Sequence, residues 1–536
     1  MTMVWPRRVW VPILVLSCLV FGWRSTTIPL TNWDEGIYAN VNLELFRSHD
    51  WTKLTYFGAD FLEKPPLQFW ATSFLIGVFG PTELAIRLPS LLAGVGTVML
   101  VAWWVWQITG RRWPTYVAAG GVMFGKFAMI HLFRTGDVDG LLVLFVTAAL
   151  YAYWSATQSA DRRDIRRWML CWAAATAGAV MTKSLAGALP LIIVGSDILL
   201  GRGWRKIGWM TLVWSAGLFL LIAAPWHIIE TIRFGSAFWD SYLGTHVLER
   251  AADSLFTSTA WYWYGGIILE RFAPFSFFLP WAFGWAVYRA IVHRDGLMRL
   301  LVLWLVITAV IFTLIQTRRE WYIAPLYPAA VLVLALAGDA WLRSRRQVRL
   351  MWIGLGLTLV VALGHTLHDA TIRLALNHVP LVRALTTPWW RTMIGQGSFG
   401  ILFVGTIVLL SFIRIRHINR THRFAMLSVL AMFITAASWT VLHIWSQPRS
   451  LPLKDVATAM IATDQQNIAL IGTRLKKNPA GYFYLLRSDI HTTEFVAGSP
   501  SPTPIVLTTN ESMNALLASY GRVIFVAERY LLLDLR

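Results

Sequence analysis

A chain of 536 residues in which 56% are hydrophobic and 14% charged carries too little charge for a soluble fold of its size, where about a quarter is usual. The net charge of +19 gives no reason to expect a nucleic-acid partner, because no soluble basic domain or recognition motif accompanies it. Cytoplasmic loops of membrane proteins collect Lys and Arg in any case, and Cys18 and Cys171, both in apolar stretches, supply neither a disulfide framework nor a metal cluster.

A membrane-spanning helix needs about 20 apolar residues. In chain order the candidate spans are 9–30, 88–108, 114–133, 141–155, 168–181, 185–200, 207–225, 267–287, 300–315, 323–342, 350–367, 400–413 and 424–444, about thirteen in all. The first is too long and too lightly bounded for a cleaved signal peptide and is read as a retained span. Arginine and lysine clusters fall on one side of this series: Arg7/Arg8, Arg111/Arg112, Arg162/Arg163/Arg166/Arg167, Arg202/Arg205/Lys206, Arg294/Arg299, Arg343/Arg345/Arg346/Arg349 and Arg414/Arg416/Arg420/Arg423. The positive-inside rule makes that side cytoplasmic, with the N-terminus inside and the C-terminus outside.

Three outward segments exceed mere turns. In the first, 31–87, the apolar stretch 66–79 is too short to span and is expected to lie along the interface as a helix. The second is 226–265. The third, 446–536, has no span; β-like runs at 468–471, 504–508 and 522–526 and a helical stretch near 513–520 read as a small α/β domain outside the membrane. The expected class is therefore an all-α polytopic membrane protein, residues 1–445, followed by an extracytoplasmic α/β domain whose expected role is to stabilise the outer rim.

Short arginine-rich cytoplasmic loops leave no room for a nucleotide-binding domain, and no glycine-rich phosphate loop occurs. Chemistry must then use the outward loops. The first opens with Thr31-Asn32-Trp33-Asp34-Glu35-Gly36-Ile37-Tyr38. Two carboxylates directly after a span suit a general base or metal ligand, or simply an acidic helix start. Glu63-Lys64-Pro65-Pro66 presents a charged pair from a stiff turn; Lys64 suits a lipid phosphate, or snorkels to the interface. Arg134-Thr135-Gly136-Asp137-Val138-Asp139 sets two more carboxylates at an outer span end, as partners of Asp34 or as N-caps. Lys183, His246, Glu249, Arg250, Arg318, Arg319 and Tyr322 complete the outward set, where interfacial anchoring and a structural histidine are the plain alternatives. Charges gathered at one membrane depth are costly near hydrocarbon, and together they mark a site.

These residues, in this order, resemble the polyprenyl-phosphate-dependent glycosyltransferases of the GT-C class. The likeness is greatest to the bacterial 4-amino-4-deoxy-L-arabinose transferases of lipid A and the related protein O-mannosyltransferases. It rests on Asp34-Glu35, the run Phe61-Leu62-Glu63-Lys64-Pro65-Pro66-Leu67, Arg87-Leu88-Pro89-Ser90, Asp139, Thr182-Lys183, Pro225-Trp226, His246-Val247-Leu248-Glu249-Arg250, and Tyr322 with Pro325 and Tyr327-Pro328. The resemblance implies a GT-C fold, Asp34 as principal catalytic carboxylate and Asp139 as a second. It implies Lys64 and Arg250 on the donor phosphate with Lys183, Arg318 and Tyr322 nearby, and Glu63 and His246 at positions that bind zinc in the aminoarabinose transferases. Gly36-Ile37 stands where the family often has Ala-Arg, Ser184 where glycine is expected, and Arg318 where lysine is expected, which leaves sugar and acceptor open.

The implied reaction moves a sugar from a polyprenyl (undecaprenyl) phosphate in the bacterial inner membrane onto lipid A or another envelope glycan, in one inverting displacement. A protein hydroxyl is the alternative acceptor. A lipid-linked-sugar flippase would instead carry charges deep in its spans, where Lys126 is the main candidate.

Overall fold

The computed structural model describes residues 6–201, 204–249, 262–272 and 275–343, with the shorter segments 454, 457–458, 467–471, 479–488, 491–494, 505–509, 522–527 and 530–534. In chain order the described helices are α1 (Arg7–Gly22), α2 (Asp34–Ser48), α3 (Leu67–Phe79), α4 (Glu83–Thr109), α5 (Arg112–Phe124), α6 (Asp139–Gln158), α7 (Arg162–Lys183), α8 (Leu189–Gly201), α9 (Trp204–Ile207), α10 (Trp209–Phe234), α11 (Ser236–Trp239), α12 (Trp263–Arg271), α13 (Leu279–Val292), α14 (Gly296–Leu314), α15 (Tyr327–Leu342) and α16 (Pro479–Arg487). The strands are β1 (Thr55–Tyr56), β2 (Ala59–Asp60), β3 (Asn467–Ile471), β4 (His491–Glu494), β5 (Ile505–Thr509), β6 (Arg522–Ala527) and β7 (Tyr530–Asp534).

Among the described residues, six helical stretches are long and apolar enough to cross a membrane: Glu83–Thr109, Asp139–Gln158, Arg162–Gly201, Trp209–Phe234, Gly296–Leu314 and Glu320–Leu342. The chain is an integral membrane protein. Exposed Trp209, Val213, Trp214, Leu220, Leu221, Ile228 and Ile232 coat α10, as a lipid-facing helix requires, whereas α15 is apolar and almost entirely enclosed. The expected spans 168–181 and 185–200 run on as one stretch interrupted only by the 3-10 turn Ser184–Ala188. Helix α10 passes through Pro225 to Phe234, so residues expected in the outward segment from 226 are still helical. Neighbouring helices can re-satisfy backbone groups that a membrane proline frees.

Several expected spans are corrected. The first helix stops at Gly22, where Ser25 N–H and Oγ both bond the Gly22 carbonyl and Arg24 adopts φ 59°. The stretch 114–133 is α5 followed by an extended Gly125 and a π turn at Ala128–Leu132. The stretch 267–287 is broken by a 3-10 turn at Phe275–Phe278. Expected spans 350–367, 400–413 and 424–444 lie outside the described residues.

The chain divides into two compact units: Met1–Phe21, Leu92–Phe133 and Asp139–Trp445 in the first, and Gly22–Leu91, Arg134–Val138 and Ser446–Arg536 in the second. Within the first unit, Asp197 on α8 ties three helices, accepting from Tyr153 Oη at 2.7 Å and from Arg299 Nε at 2.7 Å. Asp197 and Tyr153 lie inside expected spans and Arg299 just before one, a tie that hydropathy passed over.

Within the second unit α2 is the organising helix. Tyr38, Val41 and Leu45 pack on Leu54, Phe61, Phe69 and Val138, while Ala39 and Leu43 pack on Ile76, Ile86 and the α16 residues Phe483 and Tyr484. Spacings of three and four residues give α2 these two apolar stripes. The apolar stretch expected at 66–79 is α3. Five strands pair in the order β4-β3-β5-β7-β6, with β3 parallel to both neighbours and β7 antiparallel to both of its own. The expected runs 468–471, 504–508 and 522–526 fall on β3, β5 and β6; the helical stretch 513–520 lies outside the described residues.

Candidate active-site residues

In the second unit the adjacent carboxylates Asp34 and Glu35 have opposite fates. Glu35 is fully enclosed. Its Oε1 accepts from Arg87 Nε at 2.7 Å and Gly136 N at 3.0 Å; its Oε2 accepts from Thr31 N at 2.6 Å, Thr31 Oγ1 at 2.9 Å and Arg87 Nη2 at 3.2 Å. Arg87, equally buried, spends its remaining donors on the carbonyls of Ser25, Ile28 and Pro29, each at 2.7 to 2.8 Å. Burial alone would raise the Glu35 pKa, but the Arg87 charge and the donors of Arg87, Thr31 and Gly136 outweigh it and hold the carboxyl below its ordinary range. A carboxylate with five donors has no lone pair left for chemistry. Glu35 therefore folds the turn between residues 25 and 31 onto α2.

Asp34 is half-buried at the first turn of α2, and among the described residues no hydrogen bond or ion pair engages its carboxylate. Trp33, just before it, holds φ 75° and ψ −137° with its side chain 71% exposed. Such a backbone is uncommon for a large residue and costs about 1–3 kcal/mol, which the surrounding structure sustains. Tyr38 is a core aromatic, edge-on to Phe69 at 5.4 Å and Phe61 at 6.4 Å. Glu63 and Lys64 are half-buried, while Pro65 and Pro66 behind them are buried. Asp137 is buried and local: its Oδ2 accepts from Thr135 Oγ1 at 2.6 Å and its carbonyl from Ser90 Oγ at 2.9 Å.

In the first unit, Asp139 opens α6 and is buried. Lys183, the last residue of α7, donates to its Oδ1 at 2.6 Å, and His131 Nε2 stands 3.8 Å from its Oδ2. The Lys183 ammonium lies 5.0 Å from the centre of the Tyr322 ring, and the His131 ring stacks on Trp321 at 4.5 Å. Asp139, Lys183 and Tyr322 are thus brought together. Arg318 is turned to its own neighbourhood, donating from Nη2 to the Thr313 carbonyl at 2.7 Å and from Nε to that of Ile315 at 3.2 Å, so it closes the C-terminal end of α14. Ser184, where glycine was expected, has φ 41°, the left-handed region in which a side chain is strained. His246 lies in the π segment Asp240–Glu249, and Arg250 lies outside the described residues.

His131 escaped the sequence reading, since a lone histidine in an apolar run carries no spacing signal. Arg87 was noticed only as part of a motif. Its charge at the start of an expected span was the available clue. Among the described residues no three His, Cys, Asp or Glu side chains gather as a metal site.

The fold matches two crystal structures of ArnT from Cupriavidus metallidurans, in the apo state and bound to undecaprenyl phosphate, with TM-scores of 0.69 and 0.70, identities of 19% and 20%, and coverage of 98% and 99% of both chains. In sequence the chain is similar to the undecaprenyl phosphate-alpha-4-amino-4-deoxy-L-arabinose arabinosyl transferases of Pseudomonas aeruginosa (strain UCBPP-PA14) and Edwardsiella ictaluri. Each is 26% identical over 382 residues, which are 67% and 70% of this chain and 66% and 64% of those relatives, just under two thirds of their length. The family model described as dolichyl-phosphate-mannose-protein mannosyltransferase matches residues 63–229.

Proposed function

We propose that the chain is a glycosyltransferase of the bacterial inner membrane. It transfers a sugar from an undecaprenyl-type phosphate to an extracytoplasmic acceptor such as lipid A or another envelope glycan. The observation that carries this reading is the Asp34–Glu35 pair, in which one carboxylate is consumed by structure and the next is held at a helix start with its oxygens uncommitted. Likeness to the aminoarabinose transferases supports the donor class. The same reading includes about thirteen spans with a cytoplasmic N-terminus, and an extracytoplasmic tail from about residue 446.

In this reaction the bond between the anomeric carbon and the donor phosphate oxygen breaks as the acceptor oxygen bonds to that carbon. Asp34 orients the acceptor or takes its proton, and the phosphate leaves with the electron pair. Lys64 and Arg250, with Lys183 and Tyr322, stabilise the charge that grows on the leaving phosphate, a contribution that is large in a site shielded from water. Lys183 enters already paired with Asp139, so phosphate binding draws on a lysine whose position is fixed beforehand. Attack opposite the leaving group inverts the anomeric centre.

The match of residues 63–229 to the protein mannosyltransferase model favours a protein hydroxyl as the second choice of acceptor. Purified protein supplied with synthetic polyprenyl-phosphate sugars and an envelope extract decides. Label in a glycolipid supports the first acceptor, and label in protein supports the second. Movement of lipid-linked sugar across vesicles without any transfer overturns the enzyme reading in favour of a flippase.

A further inference from the structure

We infer that the tail helix α16 positions Asp34 and that Asn40 is the positioning residue through which it acts; the inference rests on the catalytic reading of Asp34 above. Contacts from α16 bracket Asp34 in sequence without touching it. On the N-terminal side, the Leu30 N–H donates to Tyr484 Oη at 2.8 Å, and Asn32 Oδ1 accepts from the Ala480 N–H at 3.3 Å. On the C-terminal side, Gly36 lies so close that a Cβ there would stand 2.4 Å from Ala480 N and 2.9 Å from Ala480 Cα. One turn further on, Asn40 is completely buried, and its Nδ2 donates to the Gly36 and Pro479 carbonyls, both at 2.8 Å.

A helix that merely covered α2 would need only the apolar contacts of Phe483 and Leu485. Here polar contacts fall at residues 30, 32 and 40, with a close backbone approach at 36, on both sides of the uncommitted Asp34 carboxylate. Asn40 Oδ1 is buried without a partner among the described residues, so the amide is kept for its two donors. Helix α16 is itself pinned, because Tyr484 Oη donates to Glu83 Oε1 at 3.1 Å while Lys454 and Arg487 hold the same carboxylate at 2.6 and 3.3 Å. Gly36 follows as a consequence: an alanine at this position would push α16 off the helix that carries Asp34.

Kinetics of the full chain in detergent test this, with synthetic undecaprenyl-phosphate sugars as donors and envelope extract as acceptor, for Asn40→Ala, Tyr484→Phe and Asp34→Asn. We expect Asn40→Ala to lower kcat about 10- to 100-fold per folded chain while donor KM stays within about twofold, since small misplacement of a catalytic group costs turnover. Tyr484→Phe, which removes only one hydroxyl and keeps the ring, should show a smaller fall of the same kind and serves if Asn40→Ala does not fold. On the residual turnover of Asp34→Asn, adding Asn40→Ala should change little, because the effect passes through Asp34. Wild-type kcat in both Asn40→Ala and Tyr484→Phe, a loss expressed in KM, or an equal further loss in the Asp34→Asn background each overturns the inference while leaving the reaction assignment standing. A wild-type chain that transfers from no donor, or full turnover by Asp34→Asn, overturns the catalytic reading and the inference with it.

Discussion

Replacing Glu35 by Gln should destabilise the chain sharply, whereas the same change at the adjacent Asp34 should not. The five donors at 2.6 to 3.2 Å around the Glu35 carboxylate divide as two on Oε1 and three on Oε2. A carboxamide presents an oxygen to only one of these groups and turns two N–H bonds toward the other, orphaning at least two donors. It also removes the charge that balances the buried Arg87 guanidinium. Breaking a buried pair from one side typically costs about 3–5 kcal/mol, and the stranded donors lie within that range. Asp34 has no such partners among the described residues, so Asp34→Asn should fall within about 0.5 kcal/mol of wild type. Apparent melting of the purified proteins in one detergent at one scan rate measures the contrast. Equal melting of Glu35→Gln and wild type, or equal losses at the two positions, would refute the division of labour drawn between these neighbours.

Further outcomes follow from the same geometry. Because Glu35 has a depressed pKa when folded, the stability it contributes is fully present above its unfolded value near 4.5 and is lost as pH falls through the lower folded value. Melting followed from pH 6 downward should therefore show a steeper decline in wild type than in Glu35→Gln. Lys183→Met strands the buried Asp139 carboxylate and should cost about 3 kcal/mol or more; adding Asp139→Leu should restore melting without restoring transfer. Ser184→Gly should raise stability by about 1 kcal/mol, since it relieves the left-handed backbone at the end of α7, and turnover should persist. Arg318→Ala should lower stability by roughly 1 kcal/mol through the lost α14 terminus, with Arg318→Lys recovering part of it.

Much of the membrane architecture was legible because hydropathy reads length directly: α4, α6, α7, α8, α10 and α14 all lie where apolar runs predicted. Breaks were not legible, since the turn after Gly22 and the π turn at Ala128–Leu132 leave an apolar run apolar while changing its backbone. Candidate residues were found through charge near hydrocarbon, which located Asp34, Asp139 and Lys183. Their partners were hidden by chain distance: Arg87 stands 52 residues from Glu35, and Lys183 stands 44 from Asp139. Nor could spacing say which of two adjacent carboxylates is structural. Helical geometry sends neighbours to different surroundings, and only the donors around Glu35 decide the matter.

Single-turnover transfer from a polyprenyl-phosphate sugar, comparing folded wild type with folded Asp34→Asn, bears most directly on the central claim. Transfer by wild type with inversion at the anomeric carbon, and a fall of at least about 100-fold in Asp34→Asn at unchanged melting, is the predicted result. Undiminished transfer by the Asp34→Asn protein would contradict it.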